Sequence, residues 1–184
     1  MATILTILPA GFEEIEAVTP IDLWRRAGFE VKTASLGSGL GVIGRSGITV
    51  MADVLLSEVA PDETFDLLFL PGGPGVKLLR ESPKVRELLK RHFSANRWIA
   101  AICAAPLVLK DAGLLAGRIY TAHPSTEAEL PNAQTDRSYI VDGKIITSAG
   151  AGTALPFALG VIEQLTDEVQ ADKIALSICA KTSS

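Results

Sequence analysis

The chain is predicted to fold as one α/β domain over residues 1–184, a mainly parallel sheet with helices on both faces. Three observations lead there. Strand-like runs alternate with helical patterns along the whole chain, as successive βα units do. The run from Asp66 to Leu70 is apolar after its first residue, and Trp98-Ile-Ala-Ala-Ile102 is apolar throughout, which suits strands buried on both faces. Three unusual segments, Pro9-Ala-Gly-Phe-Glu13, Pro71-Gly-Gly73 and Cys103, each follow such a strand. Open sheets of this kind place their sites beyond the carboxyl ends of strands.

The elements follow in order. Thr3–Leu8 reads as the first strand and Glu14–Ala27 as a helix, which Pro20 is expected to kink or break. Gly28 stops it, and Glu30–Ser35 forms the second strand. Gly37, Gly39, Gly41, Gly44 and Gly47 punctuate a hairpin with strands near Val42–Ile43 and Ile48–Ala52. Asp66–Leu70 is a strand that ends at Pro71-Gly-Gly-Pro-Gly75. Pro83–Ala95 is an amphipathic helix with Val85, Leu88, Leu89 and Phe93 on its apolar face, and His92 opposite, in solvent. The strand before Cys103 and a helix after it follow. Short strands are expected at Arg118–Thr121, Ser138–Val141 and Lys144–Ser148, and helices at Ala154–Leu165 and Asp167–Cys179. There is no internal repeat, low-complexity tract or linker.

Composition narrows the function. A net charge of -4 supplies no basic footprint, which argues against nucleic acid as a main ligand. The two cysteines form no disulfide framework, and their spacing suggests no metal site. Cys179 reads as packing at the end of the last apolar run. The N-terminus is apolar but short and lacks a basic start, so it reads as a strand and not a signal peptide. No apolar run is long enough to cross a bilayer, and the expected location is the cytoplasm.

Cys103 is the most informative residue. An apolar strand precedes it, and Ala104, Ala105, Pro106 and the run Leu107-Val-Leu109 follow, a strand–turn–helix with the thiol at the corner. A nucleophile elbow has this layout. The helix N-terminus is expected to ease loss of the thiol proton. A free Cys is more often a small buried hydrophobe, but the small flanking residues and the rest of the chain favour a nucleophile. Gly72 and Gly73 read either as a tight turn or as a backbone cradle. Neither G-x-G-x-x-G nor G-x-x-x-x-G-K-[ST] is present, so an oxyanion hole is the better use. No cofactor is expected. His123 stands before Pro124 at a strand end, equally a proton partner for the thiol or a loop residue. Glu13, Glu14 and Glu16 open the first helix, either as charges suited to its N-terminus or as the source of a carboxyl that tunes the thiol. The pattern does not choose among the three.

Several motifs together resemble the DJ-1/PfpI family, in its DJ-1 branch. They are Gly11-Phe-Glu-Glu-Ile-Glu-Ala-Val, Arg25-Arg-Ala-Gly, Leu70-Pro-Gly-Gly, Ala100-Ala-Ile-Cys-Ala-Ala-Pro, His123-Pro and Thr147-Ser-Ala-Gly-Ala-Gly-Thr, in family order from residue 3 to about 165. The resemblance implies a flavodoxin-like three-layer sandwich, also described as class I glutamine amidotransferase-like, and a homodimer. It implies that Cys103 is a reactive, readily oxidised cysteine, that Glu16 is a protonated carboxyl bonded to it, and that His123 is the neighbouring histidine. Gly73 and Ala104 would be the backbone donors beside the thiol. Arg26 and Arg45 would lie near the site and the dimer contact. Two departures stand out. Ala149 and Ala151 occupy positions where relatives often have Arg and Pro, and Ala122 replaces a common Thr.

Three functions follow from this reading. The first is a cofactor-free cysteine enzyme acting on small reactive carbonyls, converting 2-oxoaldehydes to 2-hydroxy acids or removing their adducts. The second is a redox-sensing, chaperone-like dimer whose Cys103 is oxidised. The third and weaker one is a peptidase or amidase, since no third member of a Cys–His triad stands out.

Overall fold

The computed structural model describes residues 1–180. Strands β1 (Thr3–Leu8), β2 (Glu30–Ser35), β3 (Gly41–Ile43), β4 (Thr49–Met51), β5 (Val54–Leu55), β6 (Leu67–Leu70), β7 (Trp98–Ile102), β8 (Tyr139–Asp142) and β9 (Ile145–Ser148) alternate with helices. The helices are α1 (Glu14–Arg26), α2 (Val76–Glu81), α3 (Pro83–Ser94), α4 (Pro106–Asp111), α5 (Ala154–Leu165) and α6 (Glu168–Ser177). Seven strands share one sheet in the order β5-β2-β1-β6-β7-β9-β8, while β3 and β4 form a separate antiparallel hairpin. Every pairing in the large sheet is parallel except β8 with β9. The α/β, mainly parallel prediction therefore holds.

Strand alternation divides the core into two layers. Leu68 and Leu70 face a cluster with Val76 and Leu79 of α2, Val85, Leu88 and Leu89 of α3, and Leu107, Val108 and Leu109 of α4. Leu67 and Phe69 face the opposite cluster, with Trp24 of α1 and Phe157 and Val161 of α5. On that side the Trp24 and Phe69 rings meet edge to face with centroids 5.0 Å apart, and Trp24 Nε1 donates to Ala158 O at 3.0 Å. Such an aromatic pair adds roughly 0.5–1.5 kcal/mol beyond its area. Both layers bury the central strands, so their sequences need no polar face.

Several local expectations are corrected. α1 runs through Pro20 as one element. Arg118–Thr121 is not a strand. Its amides are taken by side chains at the sheet edge, Ile119 N–H by Asp142 Oδ2 at 2.8 Å and Thr121 N–H by Thr147 Oγ1 at 2.9 Å, so no backbone ladder forms. α2 directly follows the Pro–Gly-rich segment, where the sequence reading has no helix. On α3, His92 is buried and Phe93 is 41% exposed, the reverse of the expected arrangement. His92 lies four residues after Leu88 and three after Leu89, so helical spacing itself puts it in the apolar stripe. Cys179 is exposed rather than packed, in a left-handed turn (φ 58°) just past α6.

Candidate active site

Four neighbouring strands, β1, β6, β7 and β9, run parallel and end at the same edge of the sheet. Each carries one part of the site in the turn that follows it. Cys103 sits in the turn after β7 with φ 65°, a left-handed conformation for a residue that is not glycine. Such strain costs of the order of 1–3 kcal/mol and persists where the surroundings impose it. Here Cys103 N–H donates to Ser148 O and Cys103 O accepts from His123 N–H, both at 2.9 Å. Pro106 then starts α4 without needing a hydrogen-bond acceptor. The elbow predicted from the sequence is present, and its thiol is partly exposed.

Glu16 meets that thiol from the first turn of α1. Glu13 caps the helix, and its Oε2 accepts from Glu16 N–H at 2.8 Å, which sets the direction of the Glu16 side chain. Glu16 is 1% exposed, its Oε2 accepts from Gly72 N–H at 3.0 Å, and its carboxyl hydrogen-bonds the Cys103 thiol. Burial is the main cause that raises its pKa to about 7; Glu13's charge adds to the rise, while the thiol, the Gly72 amide and Arg45's charge oppose it.

Opposing influences act on the Cys103 thiol at this corner. Burial, then the charge and hydrogen bond of Glu16, push Cys103 up to about 12. The amides of Gly73 and Ala104 favour the thiolate but are outweighed. Two of the three upward causes depend on Glu16 being ionised, so they disappear when that carboxyl takes a proton. Cys103 and Glu16 therefore act as a pair in which the proton's position decides the sulfur's charge.

The glycines are required for different reasons. A Cβ on Gly72 would fall 2.5 Å from Cys103 Cβ and 3.0 Å from its Sγ, so the space between thiol and carboxyl exists only without a side chain. Gly73 has φ +94°, and a Cβ there would strike Gly11 O and Glu13 N. Its lack of a side chain lets the turns after β1 and β6 touch, and Glu13 N–H donates to Gly72 O at 3.0 Å.

His123 reaches the site through its backbone bond to Cys103. Its Nδ1 accepts from Ser125 N–H at 3.2 Å and lies 2.8 Å from Ser125 Oγ. An amide can only donate, so the neutral ring carries its proton on Nε2. Gly150, after β9, was not singled out from the sequence. A Cβ there would sit 3.4 Å from His123 Cδ2 and 3.8 Å from Glu16 Oε1, so Gly150 separates the imidazole from the carboxyl. Its signals in the sequence are a glycine after a buried strand and its place in the Thr147-Ser-Ala-Gly-Ala-Gly-Thr motif. Ser125, which orients the ring, gave none.

The two arginines part company. Arg45 is exposed on the turn between β3 and β4, its N–H donates to Phe12 O at 2.8 Å, and its charge acts on Glu16. Arg26 lies at the far end of α1, about 15 Å along the axis from Glu16, and pairs with Asp22 at 2.8 Å. It is not part of the site within this chain. Ala149 and Ala151 flank Gly150. Among the described residues no group of three or more His, Cys, Asp or Glu is placed to hold a metal ion. A groove of about 430 Å³ leads away from Gly73 and Ala104, over Val76 and Leu107, to Lys77 and Arg80.

Known proteins resemble this chain along nearly its whole length. The family model described as the DJ-1/PfpI family matches residues 2–164. Protein dj-1beta of Drosophila melanogaster is 39% identical over 175 residues, covering 93% of this chain and 93% of its own. The glutathione-independent glyoxalase DJR-1.2 of Caenorhabditis elegans is 33% identical over 181 residues, covering 97% and 96%. The solved structure of oxidized DJ-1 from Toxoplasma gondii superposes with a TM-score of 0.94 at 38% identity, covering 99% of this chain and 100% of that one. With the motifs, the elbow and the whole-length similarity in agreement, the chain belongs to the DJ-1/PfpI family.

Proposed function

We propose that this protein is a cysteine enzyme that converts small 2-oxoaldehydes such as methylglyoxal to 2-hydroxy acids, without glutathione. The observation that carries the reading is the buried Glu16 carboxyl, held by Gly72 N–H and set against Cys103 across the space that Gly72 leaves open. As the sulfur attacks the aldehyde carbon, Glu16 takes the thiol proton. The carbon–sulfur bond forms and the carbonyl π electrons move to oxygen, where the Gly73 and Ala104 amides receive the charge. The oxyanion is protonated to give a hemithioacetal. Glu16 or His123 then moves the proton from the former aldehyde carbon to the neighbouring carbonyl carbon, while the new hydroxyl gives up its proton to the neighbouring carbonyl oxygen and becomes the thioester carbonyl. The product is a thioester of the 2-hydroxy acid, and water cleaves it to acid and free thiol. The relative named a glutathione-independent glyoxalase supports this class of reaction. Release of glyoxal-type adducts would use the same groups.

A second role in redox sensing, with chaperone-like protection of clients, is supported by the partly exposed sulfur and by the oxidized Toxoplasma relative. The reading includes a homodimer. α1 and the β3–β4 hairpin expose Ile15, Val18, Ile43, Ile48 and Met51, each 44% exposed or more, and the largest value is 66% at Met51. Val18 and Met51 line one groove, which makes this face a natural contact for a second copy. Among the described residues no helix is long and apolar enough to cross a membrane. Two free thiols suit the cytoplasm.

The test is lactate formation from methylglyoxal in the absence of glutathione, for wild type and Cys103→Ser in parallel. Turnover abolished by the substitution is the expected result. A wild type with no turnover removes the carbonyl reading and leaves the redox role.

A further inference from the structure

Glu14 follows the cap residue Glu13 on α1 and turns its carboxylate to Gly44 and Ser46 of the β3–β4 turn. It is 7% exposed; one carboxylate oxygen accepts from Ser46 N–H at 2.7 Å and the other, also buried, has no partner. Burial pushes this carboxyl up, but hydrogen bonding from the backbone of Ser46 helps hold it below the ordinary range. A buried carboxylate with an unsatisfied oxygen is costly, and its retention calls for a reason.

That reason is found in the turn Glu14 holds. Gly44 packs directly on the Glu14 carboxylate, and a Cβ there would come within 2.9 Å of Glu14 Cγ. Two backbone bonds join the same turn to the loop after β1, Gly11 N–H to Ile43 O at 2.7 Å and Arg45 N–H to Phe12 O at 2.8 Å. Arg45 stands between Gly44 and Ser46, the two residues that touch Glu14. We propose that Glu14 is a positioning residue: it clamps the Gly44–Gly47 turn onto α1 and thereby holds the Arg45 charge in range of Glu16. The inference rests on the reading of Glu16 as the carboxyl that exchanges a proton with Cys103.

The groups around Glu16 separate its influences. Glu13 on its own helix, Cys103 from the β7 turn, Arg45 from the hairpin and the His123 ring beyond Gly150 all face it. Arg45 is the one cation among those that act on it. Glu14 is not itself among them, so its effect must pass through Arg45.

The rate of Cys103 alkylation by iodoacetamide, measured against pH, reads the Glu16–Cys103 pair without any carbonyl substrate. Wild type should show a break near pH 7 that Glu16→Gln removes. Glu14→Gln should move that break up by about half a pH unit, less than a close ion pair would because Arg45 is exposed. In an Arg45→Gln background, Glu14→Gln should move it no further. Gly44→Ala, which displaces the carboxylate while keeping its charge, should give the same shift and serves if Glu14→Gln does not fold. A break that stays in place, or moves equally in the Arg45→Gln background, overturns the role of Glu14 alone. The absence of any Glu16-dependent break overturns both this inference and the reading of Glu16 beneath it.

Discussion

Substituting Gly72 by alanine tests whether the space between Cys103 and Glu16 is the working part of this site. The φ of Gly72 lies outside the left-handed region, so alanine meets no backbone penalty there. The cost comes from crowding. The new methyl would lie 2.5 Å from Cys103 Cβ and 3.0 Å from Sγ, and would also overlap Glu16 Oε2. Ordinary carbon contacts begin near about 3.5 Å, so thiol and carboxyl must separate by about 1 Å. Overpacking of this kind costs roughly 1–3 kcal/mol, within the 5–15 kcal/mol that holds a domain folded. A misplacement of about 1 Å between reacting groups costs about 100-fold in rate, or about 2.7 kcal/mol. The Gly72→Ala variant should therefore melt as a folded protein a few degrees below wild type and lose about 100-fold in kcat/KM for methylglyoxal. Melting curves and lactate assays measure the two quantities on one sample. Near wild-type turnover in a folded variant would refute the argument that Cys103 and Glu16 must touch. Gly73→Ala cannot serve as the probe, because its φ of +94° and its contacts with Gly11 O and Glu13 N would disturb the backbone itself.

Two further predictions concern pH and stability. Glu16 is raised from 4.5 to about 7, so the folded state favours its protonated form. The stability this contributes is complete below pH 4.5 and is lost as the pH rises through 7, up to about 3 kcal/mol. Glu16→Gln, which keeps an acceptor for Gly72 N–H, should raise the Tm at pH 8 but not at pH 4.5, and should abolish turnover; an equal Tm at pH 8 would contradict the burial penalty. His92 is lowered from 6.5 to about 4, first by burial and then by the charges of Arg91 and Arg97. Its contribution is present above pH 6.5 and is lost as the pH falls through 4. Both ring nitrogens lack partners, so His92→Leu should stabilise the protein and flatten the acid side of its Tm profile between pH 6.5 and 4, and an unchanged acid limb would show that another group causes it.

The fold was legible where periodicity alone decides. Leu67–Leu70 and Trp98–Ile102 have no polar face, and that pattern belongs to central parallel strands. Reading failed where side chains replace backbone partners. Arg118–Thr121 has strand composition, but the hydrogen-bonding groups of Asp142 and Thr147 reach its amides first. The polarity of His92 suggests solvent, but its helical spacing from Leu88 and Leu89 puts it in the apolar stripe of α3, where it is buried. Within the site, Cys103 and the two glycines were visible from local composition. The choice of Glu16 over Glu13 and Glu14 was not, since it depends on a cap: Glu13 turns back to its own helix, Glu14 turns to Ser46, and only Glu16 is left facing Gly72 and the thiol. The role of Gly150 was not legible, because it is the space that residue leaves between His123 and Glu16.

The upward push on the Cys103 thiol follows from the same packing and suits the proposed reaction. A cysteine held as a thiolate would be exposed to oxidants at all times, since the thiolate is the reactive form. Here burial and the ionised Glu16 carboxyl both push the sulfur's pKa up. The carboxyl's value near 7 keeps both of its protonation states populated at neutral pH. Transfer of one proton from sulfur to Glu16 removes the negative charge that opposed the thiolate and leaves the Gly73 and Ala104 amides acting in its favour. In the proposed reaction, nucleophile and general acid thus arise in one movement, within a space that Gly72 leaves open. The arrangement needs the carboxyl to be desolvated, which is why Glu16, at 1% exposure, is among the most buried charged residues of the chain. It also means that stability and activity pull in opposite directions at this one position, the contrast that Glu16→Gln exposes.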